Sequence, residues 1–186
     1  MPLTKTTFRQ NCIKKLKNNS TYNKLYKDAK VNKKLIIELK KKKYKKILFY
    51  YPLPFEADIT KTMMILRKKC DIFVPFMQST SFKMVPFRLP LKKNTVGIYE
   101  AGNTLRDIRK IDIAIVPTVG VDRNLQRIGF GKGMYDRFFA KLYKKPYMIF
   151  IQPKICKTNK LICDDYDITC DLLITPEQII RAKNRK

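Results

Sequence analysis

Histidine is absent from all 186 residues, which removes Ser-His-Asp triads, imidazole general bases and histidine-containing zinc sites. Glycine is scarce, with six in the chain. Acidic residues are few: 15 aspartates and glutamates stand against 41 lysines and arginines, for a formal net charge of +26. No apolar run approaches a membrane span, since the longest, such as Ile47–Phe55 and Ile111–Pro117, are strand-sized. The opening Met-Pro-Leu-Thr-Lys-Thr-Thr-Phe-Arg-Gln lacks the apolar core of a secretory signal, so a cytoplasmic location and no membrane partner are expected. The five cysteines are odd in number, and Cys156, Cys163 and Cys170 recur every seven residues, a spacing no standard metal motif uses. They read as reduced thiols. Any metal should then be a hard, oxygen-bound ion such as Mg²⁺.

What the chain does hold is enough apolar material for one core. Apolar residues make up 45%, and the length suits a single domain over 1–186. The lysines run from end to end, densest at Lys40–Lys46. Such charge fits a nucleic-acid binder, but aromatics are not interleaved with it in an RNA-binding pattern. The plainer account is lysine filling solvent-facing positions throughout.

No internal repeat or Ser/Gly linker divides the chain. Residues 3–17 predict a helix with Phe8, Cys12 and Leu16 on one face. A second helix is expected from about Tyr22 to Lys42, turning Leu25, Ala29, Leu35, Ile36 and Leu39 inward; together they make an N-terminal helical segment, 1–45, packed on the core. Strands are expected at Ile47–Tyr51, Asp71–Phe76, Phe82–Arg88, Thr95–Tyr99, Ile111–Val116, Tyr147–Ile151 and Asp171–Ile174. Helices are expected at Ile59–Lys69 and Met134–Lys144, and Thr175-Pro-Glu predicts a short C-terminal helix with proline at its first position. The alternation predicts an α/β fold: a three-layer α/β/α arrangement with a mostly parallel central sheet and helices on both faces. Ligands of such sheets bind at the carboxyl ends of the strands.

Half of the glycines fall in residues 127–137, Arg-Ile-Gly-Phe-Gly-Lys-Gly-Met-Tyr-Asp-Arg, between a strand-like run and an amphipathic helix. Gly129, Gly131 and Gly133 alternate around Lys132, leaving backbone N–H groups uncovered where a helix begins, a turn suited to an anion such as phosphate. The spacing is not that of a P-loop, and by itself it also fits a flexible glycine turn.

The longer string is more specific. Arg127-x-Gly129-x-Gly131-Lys132-Gly133-x-Tyr135-Asp136-Arg137, preceded by Val116-Pro117 and Val121-Asp122, resembles the signature of the 5-formyltetrahydrofolate cyclo-ligases, also called 5,10-methenyltetrahydrofolate synthetases. The resemblance runs from Lys5 to the last strand. It implies 5-formyltetrahydrofolate and ATP as partners, Mg²⁺ as cofactor, and closure of a ring through a phosphorylated formyl group, with release of ADP and phosphate. It assigns ATP to Lys5 and Arg9 of a Lys-x-x-x-Arg pair, to Arg127, to Gly129, Gly131, Lys132 and Gly133, and to Tyr135. Lys132 and Arg127 carry the catalytic role, stabilising charge on the transferring phosphate. Glu56 is the folate-contacting glutamate, suited to the N–H donors of a pterin edge. Tyr51, Phe55, Met84, Phe130 and Met134 are expected as walls around the folate rings, and Asp136 with Asp167 as the metal pair, with Asp164 and Asp165 as possible substitutes.

Three positions depart from the family pattern. Met134 replaces the first of two tyrosines, Thr118 a common glycine, and Ala101 a frequent proline. A monomer is expected, without a nucleic-acid partner despite the charge. The rival readings are a basic nucleic-acid-binding domain and a different ATP- or phosphosugar-using enzyme of similar fold.

Overall fold

The run Ile113–Pro117 is buried at every position, as a strand covered on both faces must be. In the computed structural model, which describes residues 3–19, 23–41, 43–94, 99–105, 108 and 110–183, it is the middle strand of the main sheet. The elements in chain order are α1 (Lys5–Asn19), α2 (Lys24–Lys40), β1 (Lys46–Leu48), α3 (Thr60–Leu66), β2 (Asp71–Met77), β3 (Phe82–Pro86), β4 (Lys92–Lys93), β5 (Tyr99–Glu100), β6 (Ile113–Pro117), β7 (Gly120–Val121), β8 (Arg127–Ile128), α4 (Met134–Ala140), β9 (Tyr147–Ile151), β10 (Leu172–Ile174) and β11 (Ile179–Arg181).

Among the described residues the main sheet has seven strands, ordered β11-β10-β9-β6-β1-β2-β3. Its five inner strands are parallel, and both edges, β11 and β3, are antiparallel. One face packs on α2 and α3 through Val31, Leu35, Leu39 and Met63. The other packs on α4 through Phe138 and Phe139. This is the expected mostly parallel α/β sheet with helices on both faces. Helix α1 lies elsewhere: Phe8, Cys12 and Leu16 join Val119, Ile128 and Cys156 in a separate cluster at the β7–β8 hairpin.

Several expectations are corrected. Cys12 and Cys156 are not reduced thiols but form a disulfide across 144 residues, with Cα atoms 5.9 Å apart. The inward face of α1 carries one sulfur into the apolar cluster where the chain after β9 brings the other. The C-terminal helix is a strand, β11. Thr175 closes a four-residue turn by pairing backbone and hydroxyl with Gln178, and Ile179 and Ile180 then pair back along β10. Leu25, at 87% exposure, and Ala29 face solvent. The buried face of α2 instead includes Asp28 and Asn32. Asn32 donates to the Asp58 carbonyl at 2.6 Å and accepts from the Thr62 hydroxyl at 2.5 Å, fastening α2 to the segment leading into α3. Between β6 and α4 the chain also forms the β7–β8 hairpin. Residues 95–98 of the expected Thr95–Tyr99 strand, and Tyr22 and Lys42 at the expected ends of α2, lie outside the described residues. No described helix is long and apolar enough to cross a membrane.

Candidate active site

Beyond the carboxyl ends of the parallel strands, the turn from β8 into α4 separates two cavities. Its shape depends on glycine at two points: Gly131 has φ +107° and Gly133 φ +57°, conformations L side chains rarely adopt. Gly129 is needed for a different reason. A β-carbon there would lie 2.8 Å from the guanidinium carbon of Arg127, so the missing side chain is the space that Arg127 occupies. Arg137, from α4, donates to the carbonyls of Lys132 and Thr80 and braces the outside of the turn.

Arg127 is buried, at 5% exposure, and held on three sides. Its Nε donates to the Pro117 carbonyl at 3.1 Å, its Nη1 lies 3.4 Å from Asp136 Oδ2, and its guanidinium sits 4.9 Å from the centroid of the Tyr135 ring. Little freedom is left to it, which is the property a preorganised charge requires.

The first cavity, of about 270 Å³, is mostly apolar and bordered by Tyr51, Phe82, Tyr99, Phe130, Met134 and Tyr135, with Glu56, Lys132 and Arg127 as its charged groups. Tyr51 and Tyr99 meet with ring centroids 5.7 Å apart. Phe55 does not border the space but backs Phe130 at 5.1 Å. Glu56 sits in a turn, where its Oε2 accepts the Leu53 N–H at 2.9 Å. Burial dominates that hydrogen bond and the attraction of Arg127 and Lys24, and pushes the carboxyl up to about 7 from its ordinary 4.5.

The second cavity, of about 340 Å³, is cationic. Lys5, Arg9, Arg127 and Arg137 border it together with Gly129, Gly131, Gly133, Asp136 and Asp167. Helix α1 reaches it because Arg9 Nε donates to the Gly129 carbonyl at 2.9 Å. Lys5 bonds both Asp167 and Asp164, the latter at 2.8 Å. Burial works to lower the Lys5 pKa, but those two carboxylates outweigh it and the net shift is upward. Asp167 also accepts the Asp164 N–H at 2.7 Å, and Asp136 Oδ1 accepts the N–H of the next residue, Ile168, at 3.3 Å. The two carboxylates thus approach from α4 and from the segment before β10.

Lys5, Arg9, Arg127, the three glycines, Asp136 and Asp167 therefore meet at one place, as the sequence reading grouped them. Lys132 differs, bordering the apolar cavity with its side chain exposed. Tyr135, read as an ATP residue, also borders the apolar cavity and not the cationic one. Met84 is a correction: at 1% exposure it is core, not cavity wall. Strand β3 runs antiparallel to β2, so its first residue, Phe82, lies at the sheet edge opposite Met77, and Met84 lies two residues deeper. Phe82, Met77 and Pro75, like Tyr99, are among the walls the sequence reading missed. The signal was the antiparallel turn at residues 78–81, which decides which end of the strand is outermost. Asp58, by contrast, accepts from the backbone and hydroxyl of Thr60 at the start of α3, as a helix-start carboxylate does. Thr118, where the resemblance expects glycine, is buried with its hydroxyl donating to the Gly120 carbonyl at 2.9 Å.

Comparison with known proteins agrees with this fold. Residues 3–176 match the 5-formyltetrahydrofolate cyclo-ligase family. A 5-formyltetrahydrofolate cyclo-ligase of Mycoplasma pneumoniae is 28% identical over 174 residues, spanning 93% of this chain and 99% of that protein. A probable 5-formyltetrahydrofolate cyclo-ligase of Schizosaccharomyces pombe is 26% identical over 170 residues, spanning 80% and 83%. Among solved structures, the 5,10-methenyltetrahydrofolate synthetase of Aquifex aeolicus superposes with a TM-score of 0.79 at 25% identity, over 99% of this chain and 95% of that one. The 5,10-methenyltetrahydrofolate synthetase of M. pneumoniae shares the fold, with a TM-score of 0.70 at 24% identity over 94% and 100%.

Proposed function

The chain belongs to the 5-formyltetrahydrofolate cyclo-ligase family, and from that premise we propose that it converts 5-formyltetrahydrofolate to 5,10-methenyltetrahydrofolate at the expense of ATP, releasing ADP and phosphate. The observation that carries this reading is a shared wall: Arg127 and Gly133 border both the apolar and the cationic cavity. A folate in the first and a triphosphate in the second meet at Arg127.

The chemistry explains why both are needed. A formamide oxygen is a poor leaving group, so it must be activated. The formyl oxygen attacks the γ-phosphorus and the bond to ADP breaks, giving an imidate phosphate. N10 then adds to the formyl carbon, loses its proton, and phosphate departs with the C–O bond electrons. Nothing here requires a protein nucleophile, in keeping with a chain without histidine. Burial pushes the nearby Cys163 thiol up to about 12, so it stays protonated at neutral pH.

The protein's part is positioning and charge stabilisation. Arg127, fixed by Pro117, Asp136 and Tyr135, faces the transferring phosphoryl group. Lys132 approaches it from the folate side, and Lys5, Arg9 and the backbone N–H groups of the glycine turn hold the remaining phosphates. The aromatic walls hold the folate rings, while Glu56 accepts hydrogen bonds from the pterin edge. Asp136 and Asp167 offer oxygen donors alone, a set that fits Mg²⁺ completed by phosphate oxygens and water. Bound there, the ion would neutralise phosphate charge.

The test is direct. The protein is mixed with 5-formyltetrahydrofolate and Mg-ATP, and methenyl-folate formation is followed by absorbance. Product formation dependent on both substrates is expected. Absence of product together with tight, salt-sensitive RNA binding overturns the proposal in favour of a basic nucleic-acid binder.

A further inference from the structure

The cationic cavity is well supplied for phosphates, yet phosphate contacts alone do not distinguish a nucleotide from any other polyphosphate. Of the described residues bordering that cavity, Tyr166 supplies the one aromatic ring, and Ala140 the one aliphatic side chain. Tyr166 is 72% exposed. A large ring left in water is common enough on a surface, but this one is also held still. Its hydroxyl donates to Asp164 Oδ2 at 2.8 Å, and the Lys5 ammonium lies 5.4 Å from its centroid. Lys5 in turn is fixed by Asp164 and Asp167. The ring is therefore tied at its polar tip and backed by a cation, with most of its surface open to solvent at the border of the cavity.

We propose that Tyr166 is the nucleobase platform of the cationic cavity, stacking the adenine of ATP and setting specificity for a nucleoside triphosphate. This rests on the reading of that cavity as the ATP site. Tyrosine suits the task because a ring fixed in advance loses little conformational freedom on binding. The glycine turn and Arg127 supply the cavity's phosphate-binding groups, and Tyr166 supplies the flat apolar surface that a base would need. Base–aromatic stacking of this kind is worth about 1–3 kcal/mol on alanine substitution, which corresponds to a loss of roughly 5- to 150-fold in affinity.

The experiment compares wild type, Tyr166→Phe and Tyr166→Ala in the methenyl-folate assay. Three quantities are read: KM for Mg-ATP, KM for 5-formyltetrahydrofolate, and inhibition by Mg-tripolyphosphate, which has the phosphates and no nucleoside. Tyr166→Ala should raise the KM for Mg-ATP within that range and leave the folate KM and tripolyphosphate inhibition near wild type. Tyr166→Phe, which keeps the ring, should restore ATP affinity. Equal weakening of ATP and tripolyphosphate overturns the proposal, because it shows Tyr166 acting through Lys5 and Asp164 on the phosphates. Unchanged KM for Mg-ATP in Tyr166→Ala, with wild-type turnover intact, overturns it while leaving the cyclo-ligase reading standing. A wild-type protein that does not turn over with Mg-ATP overturns both.

Discussion

Replacing Glu56 by glutamine removes a titration from the folding equilibrium, and the size of the effect follows from the surroundings of the carboxyl. Glu56 is pushed by burial to about 7 in the folded protein, against an ordinary 4.5. Between those values the folded chain holds a proton that the unfolded chain has released. Stability must then fall as pH rises through the window, by about 1.4 kcal/mol per pH unit. Across the whole window the loss is about 3 kcal/mol, absent below the lower value and complete above the upper one. Glutamine has nearly the same shape, carries no charge, and keeps an oxygen for the Leu53 N–H that now bonds Oε2. Urea unfolding of both proteins at steps from about pH 4.5 to about pH 8 isolates this term, because every other titrating group is common to the pair. The variant should match wild type at the acid end and exceed it by about 3 kcal/mol at the alkaline end. A difference between the two proteins that stays flat across the series refutes the assigned pKa. The same residue gives a kinetic signature: if folate binds the ionised carboxylate, binding below about pH 7 must expel the proton, and the folate KM should rise toward tenfold per pH unit.

Other perturbations probe the turn and its supports. Lys132→Ala should lower turnover by about 10²- to 10³-fold, the size typical of losing one transition-state charge partner, while its circular dichroism and melting stay near wild type; near-normal turnover removes Lys132 from the mechanism. Gly129→Ala puts a β-carbon 2.8 Å from the Arg127 guanidinium carbon, so steady-state assays should show a fall in turnover as the guanidinium is displaced, and activity equal to wild type means Arg127 can move without consequence. Gly131→Ala, at φ +107°, should cost about 1–3 kcal/mol of stability by strain alone, read by thermal or urea unfolding. Cys156→Ser should cost about 2–5 kcal/mol, the usual loss on removing a native disulfide, and adding reductant to wild type should reproduce that unfolding curve.

Much of this architecture was legible in the chain because the parallel strands are buried on both faces. Ile113–Pro117 and Tyr147–Ile151 stand out as unbroken apolar runs, and helices between such runs impose a parallel sheet. The residues of the cationic cavity were legible for a different reason: Lys5, Arg9, Asp136 and Asp167 belong with the glycine string to the pattern by which the sequence resembles the cyclo-ligases, and they line one cavity. Less legible was anything settled by pairing. Residues 175–181 have a helix-start signature, but Ile179 and Ile180 gain a strand partner in β10 that local propensity does not anticipate. Met84 and Phe82 have the same parity and apolar character, and only the antiparallel direction of β3 decides which one meets the cavity. Leu25 and Ala29 match the helical period of Leu35 and Leu39, yet Asn32 and Asp28 occupy the inward stripe: the Asn32 amide donates to the Asp58 carbonyl before α3, and Asp28 pairs with Lys24 of its own helix. The Cys12–Cys156 bond was hidden because the chain between them must fold before they meet.

That bond has a further consequence for the chain's two ends. It turns everything from residue 12 to residue 156 into a covalent circle, with a tail leaving it on either side. Lys5 lies on the first tail and Asp164 and Asp167 on the second, so their ion pairs act as a clasp joining the tails outside the circle. A phosphate that draws Lys5 away can release this clasp while the circle stays closed, and a peptide bond cut within the circle leaves the protein a single covalent molecule until a reductant is added.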